Sequence, residues 1–221
     1  MGLQLVLRQG AIAMAAMAWV GCAPQPHGPE ISIAPDGQAI VNVTRVSFQA
    51  IVLSLGGQPS YHWDFGNGEK GSGKVVEHVY RMEGRLPVTL TVESSHGTET
   101  ARARVEVRAL SGYWHSQDQS GPIGGGFGFN LTQAAGTLSG RVTNFSSCPD
   151  PSTPGRIEGT VAHPRTIRWT LTCGTPSQWA GEAFPDLDAI VLRREGSSPT
   201  DPPRIYYRTG GAAPAPEPEQ P

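Results

Sequence analysis

The residues able to do chemistry are few and scattered. The six histidines are His27, His62, His78, His96, His115 and His163, and no two stand in the His-x-His or His-x-x-x-His spacing that holds a metal. Glu182 with Asp186 or Asp188 could act as a carboxylate pair. Pro185 between them points to a turn, where the same residues are ordinary loop acids. No serine sits in a nucleophile elbow, although a triad assembled from distant segments stays open. Gly124-Gly125-Gly126-Phe127-Gly128-Phe129 has the glycine content of a phosphate loop. It lacks the preceding strand and following helix such a loop needs, so it reads as a flexible lead-in to an aromatic strand. The sequence therefore offers no catalytic residue, no metal set and no cofactor. What it does offer is aromatic surface. Trp114, Phe127, Phe129, Trp169 and Trp179 either pack a core or line a ligand cup. Tyr206 and Tyr207 are adjacent, so on a strand one of them faces outward.

The elements that position these side chains are strands. The chain has 221 residues with 28 Gly, 20 Pro and only 16% charged residues, a composition of short strands and turns. A net charge of −2 gives no reason to expect a nucleic-acid surface or a polybasic membrane patch. Two β-rich regions are expected, at 31–109 and 112–208. In the first, strands read as Gln38–Val43, Arg45–Ser54, Ser60–Phe65, Lys74–Val79, Leu86–Glu93 and Thr98–Val107. Val88-Thr89-Leu90-Thr91-Val92 alternates apolar with polar, which marks a strand with one buried face. Tyr61, Trp63 and Phe65 share a face and would plug a core between two sheets. Gly66-Asn67-Gly68 then makes a tight turn, and Asp64 is placed to accept from its amides.

Trp63-Asp64-Phe65-Gly66-Asn67-Gly68, followed by His78 and Tyr80 on a later strand, resembles the hallmark of the PKD domain. That resemblance covers most of 31–109. It implies an immunoglobulin-like β-sandwich in a noncatalytic spacing, adhesion or binding role outside the cell. The chain departs from the pattern where Asn67 replaces a second Asp, and where Arg85-Leu86-Pro87 replaces Gly-x-Tyr. Loss of that Asp argues against the calcium site some relatives carry. Pro87 requires a strand start or edge.

The second region offers eight strand candidates: Tyr113–Ser116, Gly126–Gln133, Thr137–Phe145, Arg156–His163, Thr166–Thr172, Gln178–Phe184, Ala189–Glu195 and Arg204–Arg208. Short connections suggest an up-and-down meander that closes into a barrel and so removes its edges. Gly112-Tyr113-Trp114 opens it with the Gly-x-Trp of the calycin barrels, which include lipocalins and avidin-like proteins, and the hairpins that follow are similar to theirs. The resemblance implies a late basic residue packed over Trp114, and Arg193 or Arg208 could supply it. Gly140 and Gly159 lie midway along their strands and lean toward a cavity rather than a solid core. The expected fold class is thus all-β, an immunoglobulin-like sandwich followed by a small antiparallel barrel.

Residues 1–21 have the positive start and apolar run of an export signal. Val20-Gly21-Cys22 resembles the end of a bacterial lipobox, with Trp19 a departure, and implies a lipid on Cys22. Ordinary secretion is the alternative. Export favours a Cys148–Cys173 disulfide, a cross-link that would contribute about 3 kcal/mol. Residues 22–30 form a Pro-rich tether and 209–221 a disordered Pro/Ala/Glu tail. The expected protein is a lipid-anchored, cell-envelope binding module for glycan or protein partners. The alternative is a lipocalin-like barrel for a small apolar ligand.

Overall fold

The computed structural model describes residues 28–52, 57–116, 127–143 and 155–209. The expected export signal, Cys22, most of the tether, Gly124–Gly126, Cys148 and nearly all of the tail lie outside these residues. No helix occurs among the described residues; strands and turns account for the secondary structure.

The N-terminal unit is two facing sheets. One has three antiparallel strands in the order β1 (Glu30–Ala34), β3 (Arg45–Ile51), β6 (Val75–Val79). The other has five: β2 (Gln38–Ile40), β8 (Gly97–Arg108), β7 (Gly84–Ser94), β4 (Ser60–Asp64) and β5 (Lys70–Ser72), with β2 parallel to β8. Alternation decides what faces inward. Val46, Phe48 and Ala50 of β3 and Val88, Leu90 and Val92 of β7 are buried, and meet Trp63, Phe65, Tyr80, Val105 and Val107 between the sheets. Two short strands, β1 and β5, go beyond the sequence expectation, and β1 begins at Glu30 inside the expected tether. Pro87 lies within β7, paired with Arg104 of β8. Pairing with β4 begins only at Thr89, so on that side the proline needs no amide.

The C-terminal unit is a closed eight-stranded barrel. Its strands are β9 (Gly112–Ser116), β10 (Gly128–Ala134), β11 (Thr137–Val142), β12 (Arg156–Ala162), β13 (Thr166–Thr172), β14 (Ser177–Ala183), β15 (Ala189–Arg194) and β16 (Arg204–Arg208). Each pairs antiparallel with the next, and β16 closes on β9 through Tyr206–Ser116, Tyr207–His115 and Arg208–Trp114. The eight expected strands are all present, within a few residues at their ends.

The sandwich stands at one end of this barrel, here the near end, where the 135–136, 163–165 and 184–188 turns lie. Ile40 and Leu110 are fully buried in the barrel's own apolar cluster, with Val43 packed against it. The Thr44 hydroxyl accepts from the Ile40 amide at 2.9 Å and donates to the Pro164 carbonyl at 2.8 Å. Gln133 reaches back, accepting from the Leu110 amide at 2.8 Å and donating to the Val41 carbonyl at 2.9 Å. Arg165 grips Asp36 with two bonds of 2.9 and 3.0 Å, and Arg108 pairs with Asp188 at 2.9 Å. Apolar burial excludes water here, and the paired charges set the orientation.

Candidate functional site

The Trp63–Gly68 motif builds structure. Trp63 is buried and donates its indole N–H to the Gly73 carbonyl at 2.8 Å. Asp64 Oδ1 accepts from the Gly66 amide at 2.9 Å, and Asn67 Oδ1 from the Glu69 amide at 3.1 Å. Gly66 has φ of +77°, and a Cβ there would stand 2.2 Å from the Pro87 carbonyl oxygen, so only glycine fits. The Asn67 oxygen faces the Glu69 amide, so its NH₂ faces His78 Nε2, at 3.1 Å. That nitrogen must then accept, which puts the neutral imidazole's proton on Nδ1, 3.7 Å from Glu69. An Asp at position 67 would instead have to accept from this nitrogen, which would move the imidazole proton to Nε2. Burial pushes the His78 pKa down, only partly opposed by Glu69. Phe65 stacks on His78 at 4.1 Å between centroids, and Tyr80 meets its edge at 4.6 Å.

The five expected ligand aromatics of the second unit all lie in the barrel's apolar cluster. Phe129 touches Trp169 and Tyr206 edge-on, with centroids 5.3 and 5.2 Å apart, and Phe127 packs on Phe129 and Tyr206. Trp179 is opposite Trp169 in register, with Arg204 lying 5.2 Å over its ring. Trp114, fully buried, donates to the Leu110 carbonyl at 2.9 Å. The Arg208 guanidinium lies 5.0 Å over its face. This is the basic residue over the opening Trp that the calycin resemblance implied. Arg193 instead binds the Ser198 and Asp201 carbonyls. Gly140 and Gly159 do not open a cavity. A Cβ on Gly140 would stand 2.7 Å from the Asn130 oxygen, and one on Gly159 would stand 2.2 Å from the Arg168 oxygen. These glycines mark close backbone approach at tight bends of the barrel. Among the described residues the interior carries a contiguous cluster of rings, Phe127, Phe129, Trp169 and Tyr206, packed on one another.

Two of the loop acids are structural, and the third stands apart from them on a strand. Asp188 pairs with Arg108, Asp186 Oδ1 accepts from the Asp188 amide at 3.0 Å, and Glu182 projects from β14. No cluster of three or more His, Cys, Asp or Glu suited to a metal occurs among the described residues.

Concave surface remains on the outside of the barrel. A depression of about 640 Å³ runs over β13–β15 near the junction, but its arginines, Arg165 and Arg193, already have partners. A second, of about 420 Å³, crosses β10, β11 and β12. Pairing sets its side chains in two rows. Asn130, Arg141 and Arg156 form one, and Thr132, Ser139 and Glu158 the other. The rows are about 7 Å apart, two residues along a strand. Tyr113 extends the first row beyond Asn130. It is 39% exposed, and its hydroxyl would stand 2.2 Å from a Cβ on Gly128, so the missing side chain lets the phenol lie down across β10. Sequence reading missed this group. Tyr113 was legible only as the middle of Gly-x-Trp, and cross-strand neighbours cannot be read before the register is known.

Residues 26–109 match the family model of the PKD domain. This unit is a PKD domain in sequence and a two-sheet sandwich in architecture, and the match stops where the barrel begins. Among solved structures, the PKD domain of the human VPS10 domain-containing receptor SorCS2 is 21% identical. It covers 49% of this chain and 95% of its own, with a TM-score of 0.31. A carbohydrate-binding module of the beta-sandwich superfamily, described as promiscuous in specificity, is 16% identical. It covers 84% of this chain and 93% of its own, with a TM-score of 0.34. At those scores neither likeness bears on what this chain binds. No curated protein matches the sequence.

Proposed function

We propose that this chain is an exported, lipid-anchored binding module of the cell envelope that makes and breaks no bonds. Cys22 carries the lipid, the residues between it and the PKD domain act as a tether, and the PKD domain serves as a spacer. The barrel is displayed beyond it to glycan or protein partners. The observation that carries this reading is the division of the barrel's surface. Ring-packed side chains and the sandwich's Ile40 and Leu110 belong to its apolar cluster, while the outer wall over β10–β12 carries a concave, polar-lined surface suited to recognition. The same packing disfavours the lipocalin-like alternative, which needs an empty cup. A Cys148–Cys173 disulfide belongs to this reading. Cys173 packs against the barrel cluster and is engaged rather than free.

Native mass spectrometry of the exported chain carrying Cys22→Ser tests the core of it. The expected result is a mass lowered by the hydrogens of one disulfide, with no apolar molecule retained. A lipid or other apolar adduct lost only on denaturation would overturn the outer-wall reading. Fractionation tests the anchor. Wild type should stay with membranes and Cys22→Ser should be released, whereas equal release of both would remove the lipid from the proposal.

A further inference from the structure

Arg141 and Arg156 face each other across β11 and β12. The Val142 amide donates to the Gly155 carbonyl at 2.9 Å, which makes the two arginines a non-hydrogen-bonded pair, the kind whose side chains stand closest. Like charges in that position repel. Among the described residues neither arginine has an ion pair, although Glu158 stands two residues from Arg156 on the same face. Elsewhere on the outer wall Arg168 does have its partner, Glu195, at 3.3 Å. Two adjacent, unpaired guanidiniums present a fork of donors matched to a carboxylate or sulfate group.

The surroundings show what carries that anion. A free phosphate or sulfate would need only the arginines. Here the pair continues into Asn130 and then Tyr113, whose partly exposed ring lies beside His115 at 6.3 Å between centroids, while the parallel row offers two hydroxyls and a carboxylate. An amide, hydroxyls and a carboxylate suit sugar hydroxyls, and a flat exposed ring suits the apolar C–H face of a pyranose. The distance between the rows is about the span of one sugar ring.

We infer that the outer wall of the barrel over β10–β12 binds an acidic polysaccharide, with its carboxylate or sulfate held between Arg141 and Arg156 and a neighbouring ring laid on Tyr113. This rests on the outer-wall reading above and gives it a ligand class. Arg141 and Arg156 set the requirement for negative charge, and Tyr113 the requirement for a sugar.

Binding of the exported Cys22→Ser chain to polygalacturonate, its full methyl ester, heparin and neutral dextran tests the inference. Binding to polygalacturonate or heparin is expected, and which of the two is tighter distinguishes carboxylate from sulfate. The methyl ester and dextran should not bind. Arg141→Gln with Arg156→Gln should weaken the acidic polymer by about tenfold or more, and added salt should do the same. Tyr113→Ala should weaken it less, and Arg168→Gln should leave it unchanged. Equal affinity for the ester, or a double variant that binds as wild type, would overturn the inference. So would wild type binding no acidic polymer. Capture of a neutral glycan or a protein on the outer wall, unaffected by the arginine variants, would sink the inference while sparing the binding-module reading. An interior ligand in the mass spectrum would sink both. All these side chains are exposed, so a circular-dichroism spectrum identical to wild type separates lost binding from lost fold.

Discussion

Two groups of arginines in this molecule do opposite things. At the junction, Arg165 holds Asp36 through two bonds, Arg108 pairs with Asp188, and Arg208 lies over Trp114 while donating to the Ala109 carbonyl at 2.6 Å. Arg108 is held in its charged form by the Asp188 bond, while burial presses the Arg208 pKa down. Across the barrel wall, Arg141 and Arg156 stand opposed, and neither has an ion pair among the described residues. Burial explains the contrast. A guanidinium leaving water must find a partner, so the junction arginines are built in with theirs, whereas an exposed one can stay solvated until a ligand arrives. At the junction the partnered arginines therefore help join the two units, whereas the exposed Arg141–Arg156 pair is the one we propose takes a ligand's charge.

The strongest way to break that contrast is at its supported end. Trp114→Ala removes a fully buried ring and the surface on which Arg208 rests, and should cost about 3–5 kcal/mol in urea denaturation. A loss no greater than that of a surface substitution would show that the capped end is not what holds the barrel. Thr44→Val keeps the shape of a buried side chain but strands the Ile40 amide and the Pro164 carbonyl. A destabilisation of about 1–3 kcal/mol is expected from the same measurement.

A pH titration of stability separates the PKD turn from both arginine groups. The folded His78 pKa lies below its unfolded value of 6.5, so the unfolded chain takes up the proton first. Its contribution is complete above about 6.5 and is lost as the pH falls through that value toward the lower folded one. His78→Gln should flatten that part of the curve, and an unchanged slope would assign it to another group. The smallest effect is also the sharpest in sign. Arg141→Gln, by relieving repulsion, should stabilise the free protein by about 0.2–1 kcal/mol, while Arg168→Gln, by losing an exposed ion pair, should be neutral or slightly destabilising. Loss of stability on Arg141→Gln would mean the pair is structural.

Much of the fold was legible because strand signals are local. Alternation in Val88–Val92 and the Gly66–Gly68 turn follow from pleat and φ alone, and the barrel's eight strands emerged from short connections and period-2 patterning. The two short strands β1 and β5 were not read: β1 overlaps the expected Pro-rich tether, and β5, Lys70–Ser72, has no apolar alternation. The glycines misled for a different reason. From sequence an inward glycine reads as missing volume, but the space at Gly140 and Gly159 is taken by the neighbouring strand's backbone.

By itself the sequence determined an all-β chain, the PKD turn with its Trp63 plug, and a barrel opened by Trp114, because each rests on residues within one or two strands of one another. Tertiary structure alone decided that Ile40 of the sandwich is buried in the barrel's cluster. It also decided that Arg208, rather than Arg193, covers Trp114, and that Arg141 faces Arg156 beside an exposed Tyr113. Those outcomes depend on register and closure. A one-residue slip between β11 and β12 would exchange inward for outward side chains and dissolve the pair.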